Sequence, residues 1–296
     1  LSWKKADLLL GKSWNPLASV HFPSILGLHT AIPFRPFGRG DQIRLTYKPT
    51  EHWNMLVAGL IQTEHRSVLE STSSTDVRAN PIPELHAQLF HKTDNLMLGL
   101  LSEYKITRPA TYTVGSLGKK YTTNETVSSY AVGAIADYKV KLFNAKASVL
   151  YSQNLSELYI QGGYAVKTHD ELTGKRTYTP SNGVSSWVNF TYGKKWIVGI
   201  FGGYHKNLGF SDNILPIHTE ATPTNNGAYF GRWQDVDYIY RASTSLTYKI
   251  ERWVFATEID YNIAAYGAID YADNGKVKNP TETANIRGVF STTFIF

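Results

Sequence analysis

The sequence has no cysteine. That excludes a disulfide frame, a thiolate nucleophile and any Cys-based metal centre. It also has no long apolar run: nothing in it approaches the roughly 18 uninterrupted apolar residues that a membrane helix needs. Charge is sparse, with Asp, Glu, Lys and Arg at 18%, below the rough quarter of soluble globular domains. The chain opens at Leu1 without Met, a basic segment or an apolar leader, so a signal peptide is expected to have been lost by processing or truncation. The formal charge is +6. No basic cluster is interleaved with stacking aromatics, which argues against a nucleic-acid partner.

What is abundant is aromatic: 19 Tyr, 13 Phe and 7 Trp. Yet the mean hydropathy is −0.26, so the chain is not greasy on average. Those facts conflict for a helical membrane protein. They agree for an all-β barrel, where lipid-facing and lumen-facing residues alternate and cancel. Period two dominates the chain. Over 252–263, Trp253, Phe255, Thr257, Ile259, Tyr261 and Ile263 fall on one face; Arg252, Val254, Ala256, Glu258, Asp260 and Asn262 fall on the other. The same alternation runs through 42–48, 130–140 and 236–249, and with less contrast through 5–14, 53–63, 84–91, 95–105, 145–153, 184–192, 196–206 and 285–296. Aromatics gather at strand ends, among them Trp53, Tyr138, Trp196, Tyr248 and Trp253, as expected at headgroup level.

Connections alternate between short (such as 49–52, 92–95, 193–195 and 250–252) and long (15–41, 64–82, 106–128, 206–235 and 265–283). Short periplasmic turns and long outer loops are the habit of membrane barrels. Two strands between 145 and 183 would break that alternation, so 156–168 is expected to continue strand 145–153 outward into a loop. The expectation is a single antiparallel transmembrane β-barrel domain over 1–296, with about 12 strands visible, an even number as closure requires.

The C-terminal tract Gly288-Val289-Phe290-Ser291-Thr292-Thr293-Phe294-Ile295-Phe296 resembles the terminal strand of Gram-negative outer-membrane proteins. Leu10-Gly11-Lys12-Ser13-Trp14-Asn15-Pro16-Leu17 resembles the Gly-Gln-Thr/Ser-Trp-Ser-Pro turn of trimeric porins of the DcaP-like kind. The tract from Gly40 to Tyr47, and Asn154-Leu155-Ser156-Glu157 through Gly162-Gly163-Tyr164, are similar to that group as well. The resemblance implies a homotrimer in the bacterial outer membrane, in contact with lipid and lipopolysaccharide, inserted by the barrel-assembly machinery. It implies passive diffusion of small hydrophilic solutes or organic anions, and no cofactor. It also makes 5–14 the fifth strand and 15–41 a constriction loop folded into the pore, so that four N-terminal strands are missing and the complete barrel has 16; the rival is a complete twelve-stranded barrel starting at Leu1. Lys12 stands where the family has Gln, so no substrate preference is carried over.

Arg44, Arg241 and Arg287 lie on the expected polar face, as pore-lining residues or as rungs of a structural charge ladder. Loop 15–41 carries Arg35 and Arg39, with Asp41 close by, and is stiffened by Pro23, Pro33 and Pro36. These six are the candidate pore-lining and constriction residues, since a low-dielectric wall focuses fixed charge on a permeant. No metal site is expected: His86 and His91, five apart in a strand, face opposite ways. No outward Ser–His pair supports an outer-membrane hydrolase, so no enzyme is expected. The rival is a barrel with a plugged lumen acting as a structural or assembly partner.

Overall fold

The computed structural model describes residues 1–18, 21–26, 31–63, 67, 80–216 and 229–296. Twelve strands run in one antiparallel path, each hydrogen-bonded to the next. They are β1 (Ala6–Trp14), β2 (Arg39–Tyr47), β3 (Trp53–Gln62), β4 (Glu84–Lys92), β5 (Leu96–Thr107), β8 (Val127–Val140), β9 (Phe143–Gln153), β11 (Arg176–Gly193), β12 (Trp196–Phe210), β14 (Val236–Ile250), β15 (Trp253–Asp270) and β16 (Lys276–Phe294). Each of the twelve alternating segments read from the sequence is one of these strands. Four short strands decorate the path: the ribbon β6 (Tyr112–Val114) with β7 (Lys120–Thr122), and β10 (Gly162–His169), which pairs with β11 and with β13 (Tyr229–Arg232). No helix among the described residues is long and apolar enough to cross a membrane, which says nothing about strands.

Two expectations change. The segment 156–168 does not continue β9. The chain turns inward at Asn154, makes one 3-10 turn over Ser156–Leu158, and returns as β10. Gly162 and Gly163 permit this turn. A Cβ on Gly162 would lie 2.6 Å from the Leu155 nitrogen, and one on Gly163, at φ +144°, would collide with the Phe230 carbonyl. The connection 265–283 is mostly strand: after a register shift between Tyr266 and Ala268, pairing of β15 with β16 resumes to Asp270↔Lys276. Cross-strand hydrogen bonds need no apolar pattern, so a polar hairpin projecting past the alternating region leaves no periodic trace.

The burial pattern is inverted relative to a soluble sheet. On one face Ile43, Val57, Leu100, Ile200 and Ile259 are 54–64% exposed. On the other, Lys105, Glu103, His205, Glu258 and Asp260 are at most 3% exposed. The apolar face carries two aromatic rows. At the short-turn end lie Tyr47, Trp53, Tyr138, Tyr192, Trp196, Tyr248 and Trp253, with the Trp196 and Tyr248 rings 4.2 Å apart. At the long-loop end lie Tyr104, Tyr130, Tyr204, Tyr240 and Tyr261, several of them in ring contact with a neighbouring tyrosine. From Trp196 to Tyr204 is about 27 Å along the strand at ~3.4 Å per residue. A strand tilt of ~40° reduces that to about 21 Å, close to the ~25 Å apolar band of membrane barrels. Among the described residues, β1 pairs only with β2 and β16 only with β15, and no ladder joins β1 to β16.

Candidate functional site

The polar face is built by parity. In β2, Gly40, Gln42, Arg44 and Thr46 point one way and Arg39, Asp41, Ile43, Leu45 and Tyr47 the other. Paired residues of neighbouring strands share a face, so Arg44 aligns with Leu9, Ala58, His86 and Glu103 across β1, β3, β4 and β5.

Against this face lies the segment joining β1 to β2. Gln88 on β4 donates to the Pro16 carbonyl (2.7 Å) and Lys146 on β9 to the Phe22 carbonyl (2.8 Å). The Ser24 amide donates to Asn189 on β11 (2.7 Å) and the Leu26 amide to Glu258 on β15 (2.7 Å). Phe34 packs on Phe201 of β12, with its ring over Gly203, where a Cβ would sit 2.5 Å from the ring. His21 stacks on Trp187 at 5.1 Å. One short segment thus reaches five strands of the path, and the sheet curls round it.

Arg35 is the pin of that segment. It is 3% exposed, donates Nε–H to the His21 carbonyl (2.7 Å) and an Nη–H to the Ala18 carbonyl, and lies 3.6 Å from the Phe22 ring centre. Burial lowers its pKa to about 9, which leaves it charged at neutral pH. His21, beside it, is lowered to about 4, chiefly by burial, with Asp137 at 4.0 Å opposing.

A second inward segment was not read from the sequence. Leu155, Leu158 and Ile160 bury themselves with Leu17, Phe90, Leu101, Ile135 and Leu150. The Phe37 amide donates to the Leu158 carbonyl (2.9 Å), tying the two inward segments together. Glu157 is paired to the buried Lys105 and accepts from Ser67 Oγ (3.0 Å). Glu84 and Glu103 complete a buried group, with His86 3.9 Å from a carboxylate oxygen of each. Three carboxylates converge here, and Lys105 supplies a cation among them. The sequence signal was the helix-breaking run Asn154 to Gly163, where Asn154 and Tyr159 adopt φ of 51° and 57°.

The other basic candidates divide. Arg241 donates to Asp260 (Nε, 2.7 Å) and Glu258 (2.6 Å), and Arg287 to Asp260 (2.8 and 2.5 Å). Arg44 donates to Ser13 Oγ (3.0 Å) and has no carboxylate partner among the described residues. These three stand on the inner face. Arg39 lies on the apolar face, 4.3 Å from the Trp14 ring centre, and Asp41 shares that face opposite Lys12. The structure therefore does not bring Arg35, Arg39 and Arg44 together. Arg35 is consumed by loop packing, and Arg39 and Asp41 differ from Arg44 in parity.

A Ser–His pair does exist on adjacent strands: Ser185 Oγ and His205 Nδ1 are 2.8 Å apart. It faces inward, both residues are 0% exposed, and the third partner is the Gln161 amide at 3.3 Å. A nucleophilic serine needs access and a group that stabilises the imidazolium; this pair has neither.

No protein-family model and no curated protein matches the chain. Its fold is that of the porin-like outer-membrane β-barrels. Among solved structures it is similar to the outer membrane channel DcaP of Acinetobacter baumannii, with a TM-score of 0.66 and 13% identity, over 99% of this chain and 72% of that one. It is similar also to the outer-membrane protein OmpT of Vibrio cholerae, with a TM-score of 0.55 and 10% identity, over 99% of this chain and 78% of that one.

Proposed function

We propose that the chain is the greater part of a DcaP-like outer-membrane channel that lets small hydrophilic, preferentially anionic, solutes diffuse passively across the bacterial outer membrane. The observation that carries this reading is the inverted burial: a continuous apolar face between two aromatic rows, over a polar inner face. Such a face is stable in hydrocarbon and costly in water. Unpaired backbone groups are not tolerated in lipid, so the open edges of β1 and β16 call for further strands to close the barrel; 16 in all, in a homotrimer embedded in lipid and lipopolysaccharide, is the reading the resemblance favours. The inward part of loop 15–41 serves as the constriction, held by Arg35, and of the inner-face arginines Arg44 and Arg287 are the ones a solute meets, Arg241 being buried against Glu258 and Asp260.

The test is reconstitution in planar bilayers. Ohmic steps in KCl, and a reversal potential in a KCl gradient that shifts toward cations in Arg44→Gln/Arg287→Gln, are expected. An unchanged reversal potential in that variant removes the pore role of these residues. A second reading has its own support: the cluster that Leu155, Leu158 and Ile160 form with Leu17 fills part of the interior. Silence of the well-folded protein in bilayers would favour a plugged barrel acting as a structural or assembly partner.

A further inference from the structure

The short-turn end holds a pocket of ≈ 440 Å³ that none of the contacts above uses, lined by Lys4, Lys5, Lys48, His52, Asn54 and Lys92, with Glu51 its single carboxylate. Two strand pairs build it. The Lys48 amide bonds to the Lys5 carbonyl (2.7 Å), continuing β1–β2, and the Lys92 amide to the His52 carbonyl (2.8 Å), continuing β3–β4. The turn between β2 and β3 sets these two ends side by side. By parity Lys48 continues the inner face of β2, and Asn54 and Lys92 belong to the inner faces of β3 and β4. Pro49, Thr50 and Trp53 complete the lining, the last from the outer aromatic row, so the pocket lies at the rim under the β2–β3 turn with Lys48, Asn54 and Lys92 on its inner side.

Like charges placed opposite one another across strands destabilise a sheet, and here Lys5 faces Lys48. Asp7 offsets Lys48 at 2.6 Å, and the Pro49 carbonyl accepts from Lys5 at 3.1 Å. The ammonium groups of Lys4 and Lys92 have no hydrogen-bond or ion-pair partner among the described residues. No local pattern marks this cluster, because the four lysines come from three separate stretches of chain.

We propose that this pocket is a binding site for a small multivalent anion bearing carboxylate or phosphate groups, at the periplasmic mouth of the channel. It deepens the channel reading and rests on it for the sidedness of the site. Ammonium groups on flexible stems adapt to differently shaped anions and bind each weakly in water, which suits a relay rather than a trap. The volume lies within the ~300–1,000 Å³ range of ligand pockets and admits a molecule of about citrate size.

The experiment is calorimetric titration of the detergent-solubilised protein with citrate and, separately, sodium pyrophosphate at low salt. Saturable binding of either is expected, weakened at least tenfold in Lys4→Gln/Lys92→Gln and retained in Lys92→Arg. Binding of citrate alone would assign carboxylate solutes, and of pyrophosphate alone phosphorylated ones. Lys194→Gln, in another turn at the same end, should bind as the parent does. Absence of saturable binding, or equal loss in Lys194→Gln and Lys4→Gln/Lys92→Gln, overturns the proposal. Bilayer conductance is read separately, so a silent barrel that still binds citrate through Lys4 and Lys92 sinks the channel reading and leaves the site standing.

Discussion

Ile200 lies midway between Trp196 and Tyr204 on β12, on the apolar face, and is 58% exposed. Its neighbours across the ladder are Phe190 and Thr244, on the same face. In water, Ile→Arg at so exposed a position changes stability within about ±0.5 kcal/mol. At the midplane of a bilayer the same substitution costs about 2–4 kcal/mol. At 1.36 kcal/mol per tenfold, that is a loss of about 30- to 900-fold in the folding equilibrium. The matched control is Thr247→Arg, on the inner face of the adjoining β14 opposite Ala256 and Ile197. A guanidinium there can turn into the aqueous interior, and the cost should stay below about 1 kcal/mol. The assay is urea-dependent unfolding of the refolded protein in lipid vesicles, followed by tryptophan fluorescence. If Ile200→Arg and Thr247→Arg unfold at the same urea concentration as the parent, the apolar face does not meet lipid and the inverted burial has been misread.

The inward segment can be tested in two further ways. Gly203→Ala should expel the Phe34 ring, at an overpacking cost of about 1–3 kcal/mol, and speed chymotryptic cleavage after Phe37; adding Phe34→Leu should restore protection there, and equal cleavage in parent and single variant would refute the packing. For His21 the sign runs as follows: the docked pKa of about 4 lies below the ordinary 6.5, so the undocked loop binds more protons between those values. Docking is therefore fully favoured above pH 6.5 and weakens as pH falls toward 4, against the opposing pull of Asp137 and with Lys146 and Arg35 adding to the repulsion. Amide hydrogen exchange over 34–38, corrected for its intrinsic pH dependence, should accelerate in the parent across that window, while His21→Phe stays flat; a parallel response in both would show that another group sets it.

The wall was legible because a membrane sheet writes its two faces into alternate residues. Ile259 and Asp260 are neighbours in the chain, yet one is 58% exposed and the other 0%. The same rule, carried back from Arg44, places Arg39 and Asp41 outside; grouping them with Arg44 by distance along the chain lost that information. Arg35 was not legible in this way. Its partners are the carbonyls of Ala18 and His21, and backbone acceptors are present at every position, so nothing in the side-chain pattern marks them. The segment 154–161 escaped for a related reason: its leucines pack against Leu17 and Phe90 from distant strands, and no local period records a contact of that range. The pairing of Glu157 with Lys105 was equally hidden, since a lone acid between strands reads as a solvated loop residue.

The inner face is nearly self-neutral, and that decides how selectivity can arise. Arg241 and Arg287 are matched by Glu258 and Asp260, Lys48 by Asp7, and Lys105 by the acids around it. A charge engaged at 2.5–2.9 Å by its counter-ion presents little more than a dipole to a passing ion. Glu258 shows where that pairing is used: it holds Arg241 with one oxygen and the Leu26 amide with the other, fastening the inward segment to the wall. Among the described residues, the cations without a carboxylate partner include Arg44 halfway along β2, Arg35 and Lys146 at the inward segment, and Lys4 and Lys92 at the rim. A single unmatched charge about 10 Å from a permeant is worth about 0.4 kcal/mol at the dielectric of water and about 1.7 at an effective value of 20. Those limits correspond to about a twofold and about a seventeenfold preference for the opposite sign. Most of the charge in this wall is thus spent on fastening strands and loop, and the few unpaired cations are enough for a weak anion preference without holding the solute fast.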